Sequence, residues 1–470
     1  MPYEGDNPMA NSSSRKNGAV GTPPSKVEIR SAKMTWQDSY KSKICSHEEA
    51  AKLVKSGDRL FTPLGLGQPS TPMMDAIADR KDELQDIDYI SSLVFHPYKI
   101  FNPEYRKTFR LITGFYSILT MQTNAEGTSV FVPVQSSNVG KVAEDRQNRF
   151  PCRQGIITQV TPPDEHGFVS LGLDLFYTPD IIHQADYVIG EVNPNVPWTF
   201  GDTAYHISRF DKFVETNEPL LTLPPMEPTD VHKKIAANVV SLLKNRDCIQ
   251  VGIGAVPGEI SKLLADSGLK DLGLHTEMAP IGTRELVENG VVTCKFKELN
   301  KNKIVMAFTI GDQDLYDFLG NNPMVEFYSA SYCNYIPRLA QEKNLVAING
   351  CIEVDLVGTI SSESIGDAMF SGTGGQLDFV IGAFWSEGGR AINILPSTAK
   401  NGTVSRIVPY LTQGSRVTVP RHYAHYVVTE YGIADLLSLD ERERALALIK
   451  IAHPKFRDEL MQAAKKRLKF

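Results

Sequence analysis

The feature that most limits the folds open to this chain is an internal duplication. HEEAAKLVKSGDRLFTPLGLGQPSTPMMDAIADR begins at His47, and HKKIAANVVSLLKNRDCIQVGIGAVPGEISKLLADSG begins at His232. Each copy reads as an amphipathic helix, an aspartate directly before a short apolar strand, a Gly-x-Gly turn (Gly65/Gly67 and Gly252/Gly254), and a second helix with apolar residues at three- and four-residue spacing. Elsewhere strand-like runs alternate with helical ones: VSLGLDLF, DYVIGEVN, ELNKNKIVMAFTIG, NLVAINGCIEVDLVGTI and RAINILPS. Such alternation produces mainly parallel sheets covered by helices. The expected fold class is therefore α/β, with two similar open α/β domains of about 200 residues each. The proline-rich stretch PLLTLPPMEPTDVHKK separates them, giving an N-terminal domain over 35–230 and a C-terminal domain over 231–470.

Composition narrows the function classes. A chain of 470 residues, 42% hydrophobic and 22% charged, buries large cores without staples. Its net charge of -6 supplies no basic footprint, so no nucleic-acid partner is expected. The six cysteines, Cys45, Cys152, Cys248, Cys294, Cys333 and Cys351, form no CxxC pair, which fits reduced thiols and a cytoplasmic setting. No HExxH or other zinc spacing occurs, and His422 and His425 read as a strand-edge or interface pair, so no metal is expected. Residues 1–34 are rich in Ser, Asn, Gly and Pro and read as a disordered tail without a targeting signal. No run of about 18 apolar residues predicts a membrane span.

LGLHTEMAPIGTRELVENG, residues 272–290, sets a short apolar run directly before His275, Thr276 and Glu277 and follows them with Met-Ala-Pro. A solvated loop acid is the simplest reading of one glutamate. In open parallel sheets, however, ligands collect beyond the carboxyl ends of the strands, and Glu277 is expected there. VGIGAVPGEISKLL also admits a dinucleotide-binding reading, because Glu277 follows Gly254 at close to the spacing of about 20 residues used by a ribose-binding acid. Pro257 in place of the third glycine weakens that reading, and the copy near Gly65 has no matching acid. The turn supplies backbone N–H groups that a ligand can approach closely, with a helix N-terminus behind them. A second glycine cluster, Gly372, Gly374 and Gly375, precedes Gln376 and Asp378. It reads either as a tight turn into a buried helix or as an oxyanion-binding loop.

Taken together, VGIGAVPGEI, GLHTEM, AINGCIEVDLVG, SESIG, SGTGGQLDF, ILPSTA, HYVVTEYGIADL and IAHPKFRDEL, with TPPDEHGFVSLG and GEVNPNVPWTFGDTAYHISRFD in the first half, resemble the acetyl-CoA hydrolase/transferase family. That family includes 4-hydroxybutyrate and butyrate:acetate CoA-transferases. The resemblance runs from about residue 40 to the C-terminus and implies two NagB/RpiA-like domains with the active site between them. It implies Glu277 as the catalytic residue, and a CoA site lined by Gly252, Ile253, Gly254, Ala255 and Val256 and by Gly374 and Gly375. Asn349 lies close by in this reading, with Gln250 near the carboxylate. Glu363 is expected either to support the site or to cap a helix.

The chemistry fits a carboxylate, which can form an anhydride with an acyl group and then hold CoA as a thioester. The implied activity is acyl-CoA:carboxylate CoA transfer among short- or medium-chain acids of the acetate, butyrate or 4-hydroxybutyrate type, in a homodimer or higher homo-oligomer. The partners are an acyl-CoA and a free carboxylic acid; CoA is a substrate, and no cofactor is permanently bound. Two alternatives stay open: an acyl-CoA hydrolase using the same glutamate, and a non-catalytic nucleotide- or CoA-binding module. His275 reads as a packed, orienting residue. Where the family carries an arginine and an aspartate, this chain has Trp198 and Ile281, and if they reach the acyl end an apolar or weakly polar acyl group is expected.

Overall fold

Both copies of the duplicated sequence tie down the turn into their first strand in the same way. Asp58 Oδ2 accepts the backbone N–H of Lys55 at 2.9 Å, and Asp247 Oδ2 accepts that of Lys244 at 2.7 Å. Each aspartate is also paired with an arginine, Asp58 with Arg153 at 2.7 Å and Asp247 with Arg390. The structure, a computed structural model, describes residues 35–223, 226–252 and 254–470. The expected tail over 1–34 and Ile253 lie outside the described residues, and Trp36–Phe470 form one unit.

The first sheet is wholly parallel. Its strands are β1 (Arg59–Phe61), β2 (Ile87–Ile90), β3 (Phe109–Thr113), β4 (Ser129–Phe131), β5 (Gln154–Val160), β6 (Tyr187–Val192) and β7 (Lys212–Glu215), in the order β7-β6-β5-β1-β2-β3-β4. The second sheet holds β8 (Cys248–Val251), β9 (Gly273–Leu274), β10 (Leu345–Gly350), β11 (Arg390–Ile394), β12 (Tyr426–Thr429) and β13 (Gly432–Asp435), in the order β9-β8-β10-β11-β12-β13. Only its last pair is antiparallel. The strand order reverses beside β1 in one sheet and beside β8 in the other, and the two Gly-x-Gly turns follow these strands. Each turn therefore lies at a topological switch point, where an open α/β sheet leaves a crevice for ligands.

Three helices of this region are α1 (Thr71–Ala78), α2 (Val139–Arg149), which covers the site from the first half, and α3 (Asp230–Val240), which opens the second copy. Ser70 caps α1, and Met73 and Met74 fill the core beneath it. Thr229 caps α3 by accepting the His232 N–H at 3.4 Å. In the second half α4 (Ala255–Asp266) leaves the Gly-x-Gly turn, α5 (Ala330–Cys333) is one turn long, and α6 (Gln376–Trp385) leaves the second glycine cluster. One cluster of buried side chains contains Phe61, Ile156 and Val188 of the first sheet together with Ile249, Val346 and Ile392 of the second. The halves thus share a core.

Two strand expectations are corrected. In VSLGLDLF only the first residues are extended, within Phe168–Ser170, and these pair antiparallel with Ala204–His206 outside the main sheet. In ELNKNKIVMAFTIG only Ile304–Met306 is a strand; it joins Val325–Phe327 and Phe200–Gly201 in a small parallel sheet drawn from both halves. Apolar runs bury equally well in turns under a shared core, so periodicity alone does not separate them from sheet strands. Among the described residues no helix is long and apolar enough to cross a membrane.

Candidate active site

Beyond Leu274 the chain is held by bridges from His275 to Val305 and from Met278 to Phe308 and bends between them at Glu277. The Glu277 carbonyl accepts the N–H groups of Ala307 at 2.9 Å and Phe308 at 3.2 Å. His275 is fully buried and its Nε2 lies 2.8 Å from the Cys333 carbonyl. Burial pushes its pKa down to about 3, so the ring is neutral with its proton on Nε2. Cys333 Sγ in turn lies 3.2 Å from the Thr276 carbonyl. These contacts fasten the strand end to α5, whose next residue is Asn334. His275 is packed, as expected.

The Glu277 side chain receives donors from both halves. Asn334 Nδ2 donates to Oε2, and the Gly375 backbone lies against the same carboxylate, its N–H opposing the rise in pKa. The Ser136 hydroxyl, buried and without a hydrogen-bond partner among the described residues, stands near it from the first half. Behind Gly375 stands the N-terminus of α6, 10 residues long, whose dipole favours negative charge at this point. Burial nevertheless raises the Glu277 pKa above the ordinary carboxylate range, against the opposing effect of these three donors.

A second carboxyl group shares the network. Asp378, in the first turn of α6, accepts the Ser137 N–H at 3.0 Å and the Ser137 hydroxyl at 2.7 Å. Burial pushes its pKa up to about 7; the Glu277 charge adds to the rise, while Ser137 and Asn334 oppose it. Two acids held in one dry site do not both ionise freely. The glycine loop and the first half are also joined through backbone, the Ser136 N–H donating to the Gly374 carbonyl at 3.2 Å.

Glu277 opens onto a cavity of about 300 Å³. Of the residues expected at the site, Gln250, Gly252, Glu277, Asn349, Gly374 and Gly375 all line it. Gln250 and Asn349, at the carboxyl ends of β8 and β10, exchange two amide hydrogen bonds of 3.1 and 2.9 Å. Gly254, Ala255 and Val256 are not part of the lining; they begin α4, with Gly254 at φ +127°, a conformation that favours glycine. Glu363 also stands behind the wall. Its carboxylate accepts the Thr373 hydroxyl at 3.1 Å and the Thr418 hydroxyl at 3.0 Å, so it braces the glycine loop.

Trp198 and Ile281 do not line this cavity, which removes the ground for expecting them to select the acyl group. The Trp198 carbonyl accepts the Asn321 N–H at 2.8 Å, and Ile281 packs beside Gly311. Sequence reading missed Ser136 and Asn334 and gave Asp378 no role. QSSN and SYCNYIP carry no repeat or spacing that marks them, and only the tertiary fold brings them to Glu277.

A carboxylate at the end of a cavity, with one oxygen accepting the Asn334 amide and the Gly375 backbone packed against it, can attack an acyl carbon and then hold the oxyanion that forms on its own carbonyl. Two α/β halves closing on such a group define an enzyme of the CoA-transferase type. The chain belongs to the acetyl-CoA hydrolase/transferase family: residues 29–224 match the acetyl-CoA hydrolase/transferase N-terminal domain and residues 311–464 the C-terminal domain. It is 40% identical to 4-hydroxybutyrate coenzyme A transferase of Clostridium kluyveri, over 92% of this chain and 100% of that protein. It is 38% identical to succinyl-CoA:cyclohexane-1-carboxylate CoA transferase of Geobacter metallireducens, over 93% of this chain and 98% of that protein. The crystal structure of RipA from Yersinia pestis superimposes with a TM-score of 0.86 at 33% identity, covering 93% of this chain and 100% of that one.

Proposed function

We propose that the protein transfers CoA between short- or medium-chain carboxylic acids, with Glu277 as the nucleophile, no permanently bound cofactor, and CoA as a substrate. The observation that carries this reading is the Glu277 carboxylate, held by Asn334 and Gly375 where it meets the cavity. The names of the relatives support the acid class, 4-hydroxybutyrate among them.

Glu277 attacks the donor thioester carbonyl; the C–S bond breaks, CoA leaves as the thiolate, and an acyl-glutamyl anhydride remains. The thiolate then attacks the glutamyl carbonyl, the anhydride C–O bond breaks, the donor acid leaves as its carboxylate, and a glutamyl-CoA thioester forms. The acceptor carboxylate attacks that thioester, and the same steps run backwards to give the new CoA ester and free Glu277. No proton changes hands, so the neutral His275 needs no base role. When the glutamyl carbonyl is attacked its oxygen becomes an oxyanion, and the Asn334 amide already donates to Oε2 with the Gly375 backbone beside it; one such donor contributes about 2.7–4 kcal/mol. The backbone of Gly252, Gly374 and Gly375 and the Gln250–Asn349 pair are assigned to the CoA end, with Gly254–Val256 behind them and Glu363 as a brace. The domains are assigned as 35–230 and 231–470.

Transfer is favoured over hydrolysis by the apolar walls, because an excluded water cannot intercept the anhydride. Initial rates with donor and acceptor varied together test the scheme. Parallel double-reciprocal lines, with CoA ester formation dependent on the acceptor acid, are expected; intersecting lines would show a ternary complex and overturn it.

A further inference from the structure

The wall of the cavity formed by the first sheet has two chemically distinct rungs. Side chains two residues apart on a strand share a face, and the register pairs Phe61 with Ile90 and Ile90 with Ile112. Two residues earlier it pairs Arg59 with Asp88 and Asp88 with Arg110. Helix α2 covers this face at helical spacing, with Val139, Val142 and Ala143 and then Arg146 in the lining. The cavity therefore passes along apolar side chains and ends against Arg59 and Arg146.

These two guanidiniums are poorly compensated. Arg59 is 2% exposed, and its guanidinium donates only to neutral acceptors, Gln147 Oε1 at 2.8 Å and the Phe150 carbonyl at 3.2 Å. Its Nε is buried without a partner among the described residues, and so is that of Arg146. Asp88 is the nearby acid, and it is engaged by Arg110 at 2.6 Å while Arg146 stands 3.8 Å away. Three cations thus face one carboxylate. Burying a charge without a counter-charge is costly, and folding retains this one at the end of a ligand-sized cavity.

We infer that the acyl pocket receives a dicarboxylic acyl group whose distal carboxylate meets Arg59 and Arg146, so that the substrate class is the CoA monothioester of a medium-length dicarboxylic acid. This rests on the CoA-transferase reading above. Length follows from the rungs. The charged rung lies about 7 Å below the apolar one, two residues of strand, whereas the carboxyl carbons of a succinyl group stand at most about 4 Å apart across three C–C bonds. An adipyl group or a longer relative spans the apolar section, and its methylenes lie against Phe61, Ile90, Ile112 and the valines of α2.

The test compares adipyl-CoA with hexanoyl-CoA, which have the same chain length, as donors to acetate, with product CoA esters read by mass spectrometry. Wild-type protein is expected to favour adipyl-CoA in kcat/KM by at least about tenfold. Arg59→Leu and Arg146→Leu should each collapse that ratio by a similar factor; Arg146 lies on a partly exposed helix and keeps the test valid should the Arg59 variant fold poorly. Equal or better use of hexanoyl-CoA by the wild type, or a ratio that survives the substitutions, overturns the inference and leaves the transferase reading intact. Transfer from neither donor, nor from any shorter acyl-CoA, overturns both.

Discussion

Gly375 and Glu277 occupy space that a single methyl group would deny them: a β-carbon on Gly375 would stand 2.0 Å from Glu277 Oε2 and 2.2 Å from Asn334 Nδ2. Since φ at Gly375 is -94°, the requirement is one of close approach and not of backbone conformation. Gly375→Ala is therefore expected to fold while pushing the carboxylate out of line. A displacement of this order costs about a hundredfold in rate. A circular dichroism spectrum and melting curve like the wild type's, combined with that loss of kcat, is the expected pattern; near-normal turnover would mean that this contact does not position the nucleophile.

Asn334 contributes through one N–H donor to Oε2. Asn334→Ala should lower kcat by about 10²- to 10³-fold, the usual cost of deleting one oxyanion donor. KM for the donor should move far less, since the bond strengthens as charge develops on the glutamyl oxygen. Steady-state kinetics of the purified variant separate the two effects. A raised KM with unchanged kcat would make Asn334 a binding residue only.

The paired acids predict two pH effects. Glu277 must be ionised to attack, and its pKa is raised by burial, so the acid limb of kcat/KM should lie above the ordinary carboxylate range. Asp378, with a pKa of about 7, is still a neutral acid below that pH, so Asp378→Asn should leave that limb nearly in place. Stability follows the opposite course. Asp378 has a folded pKa of about 7 against about 3.9 unfolded, so its folded state holds the proton through the interval between them. That contribution is fully present below about pH 4 and is lost as pH rises through the folded value. Urea melts of wild type and Asp378→Asn across this interval should show a decline in the first that is flatter in the second.

Trp198→Arg should leave the ranking of acyl donors unchanged, because Trp198 is not in the cavity lining. A donor panel run on this variant checks the point. A changed ranking would place the acyl group elsewhere than between the first sheet and α2.

The duplication, with its aspartate before each strand and its glycine turn after, made the two parallel sheets legible, because such signals are local and repeat. Glu277 stood out for a different reason: on its own a strand-end acid reads as a solvated one, and it was the GLHTEM motif, within a resemblance running along most of the chain, that singled it out. The residues around it did not stand out. Asn334 and Ser136 reach Glu277 from positions far along the chain, through a one-turn helix and a turn that carry no periodicity of their own. Arg59 was hidden differently. It begins a short strand in GDRLF, and only strand register and the cover of α2 reveal that it lies against a cavity. Trp198 misled because a replaced charge in a familiar motif says nothing about which wall the position faces.

The central claim is that Glu277 carries CoA covalently. Incubation with donor acyl-CoA alone, without an acceptor acid, followed by borohydride reduction and peptide mass spectrometry, tests it most directly. The expected result is inactivation that requires prior donor, with the reduced residue mapping to Glu277 in LGLHTEMAP. Modification at another residue, or full activity after borohydride despite bound donor, would contradict it.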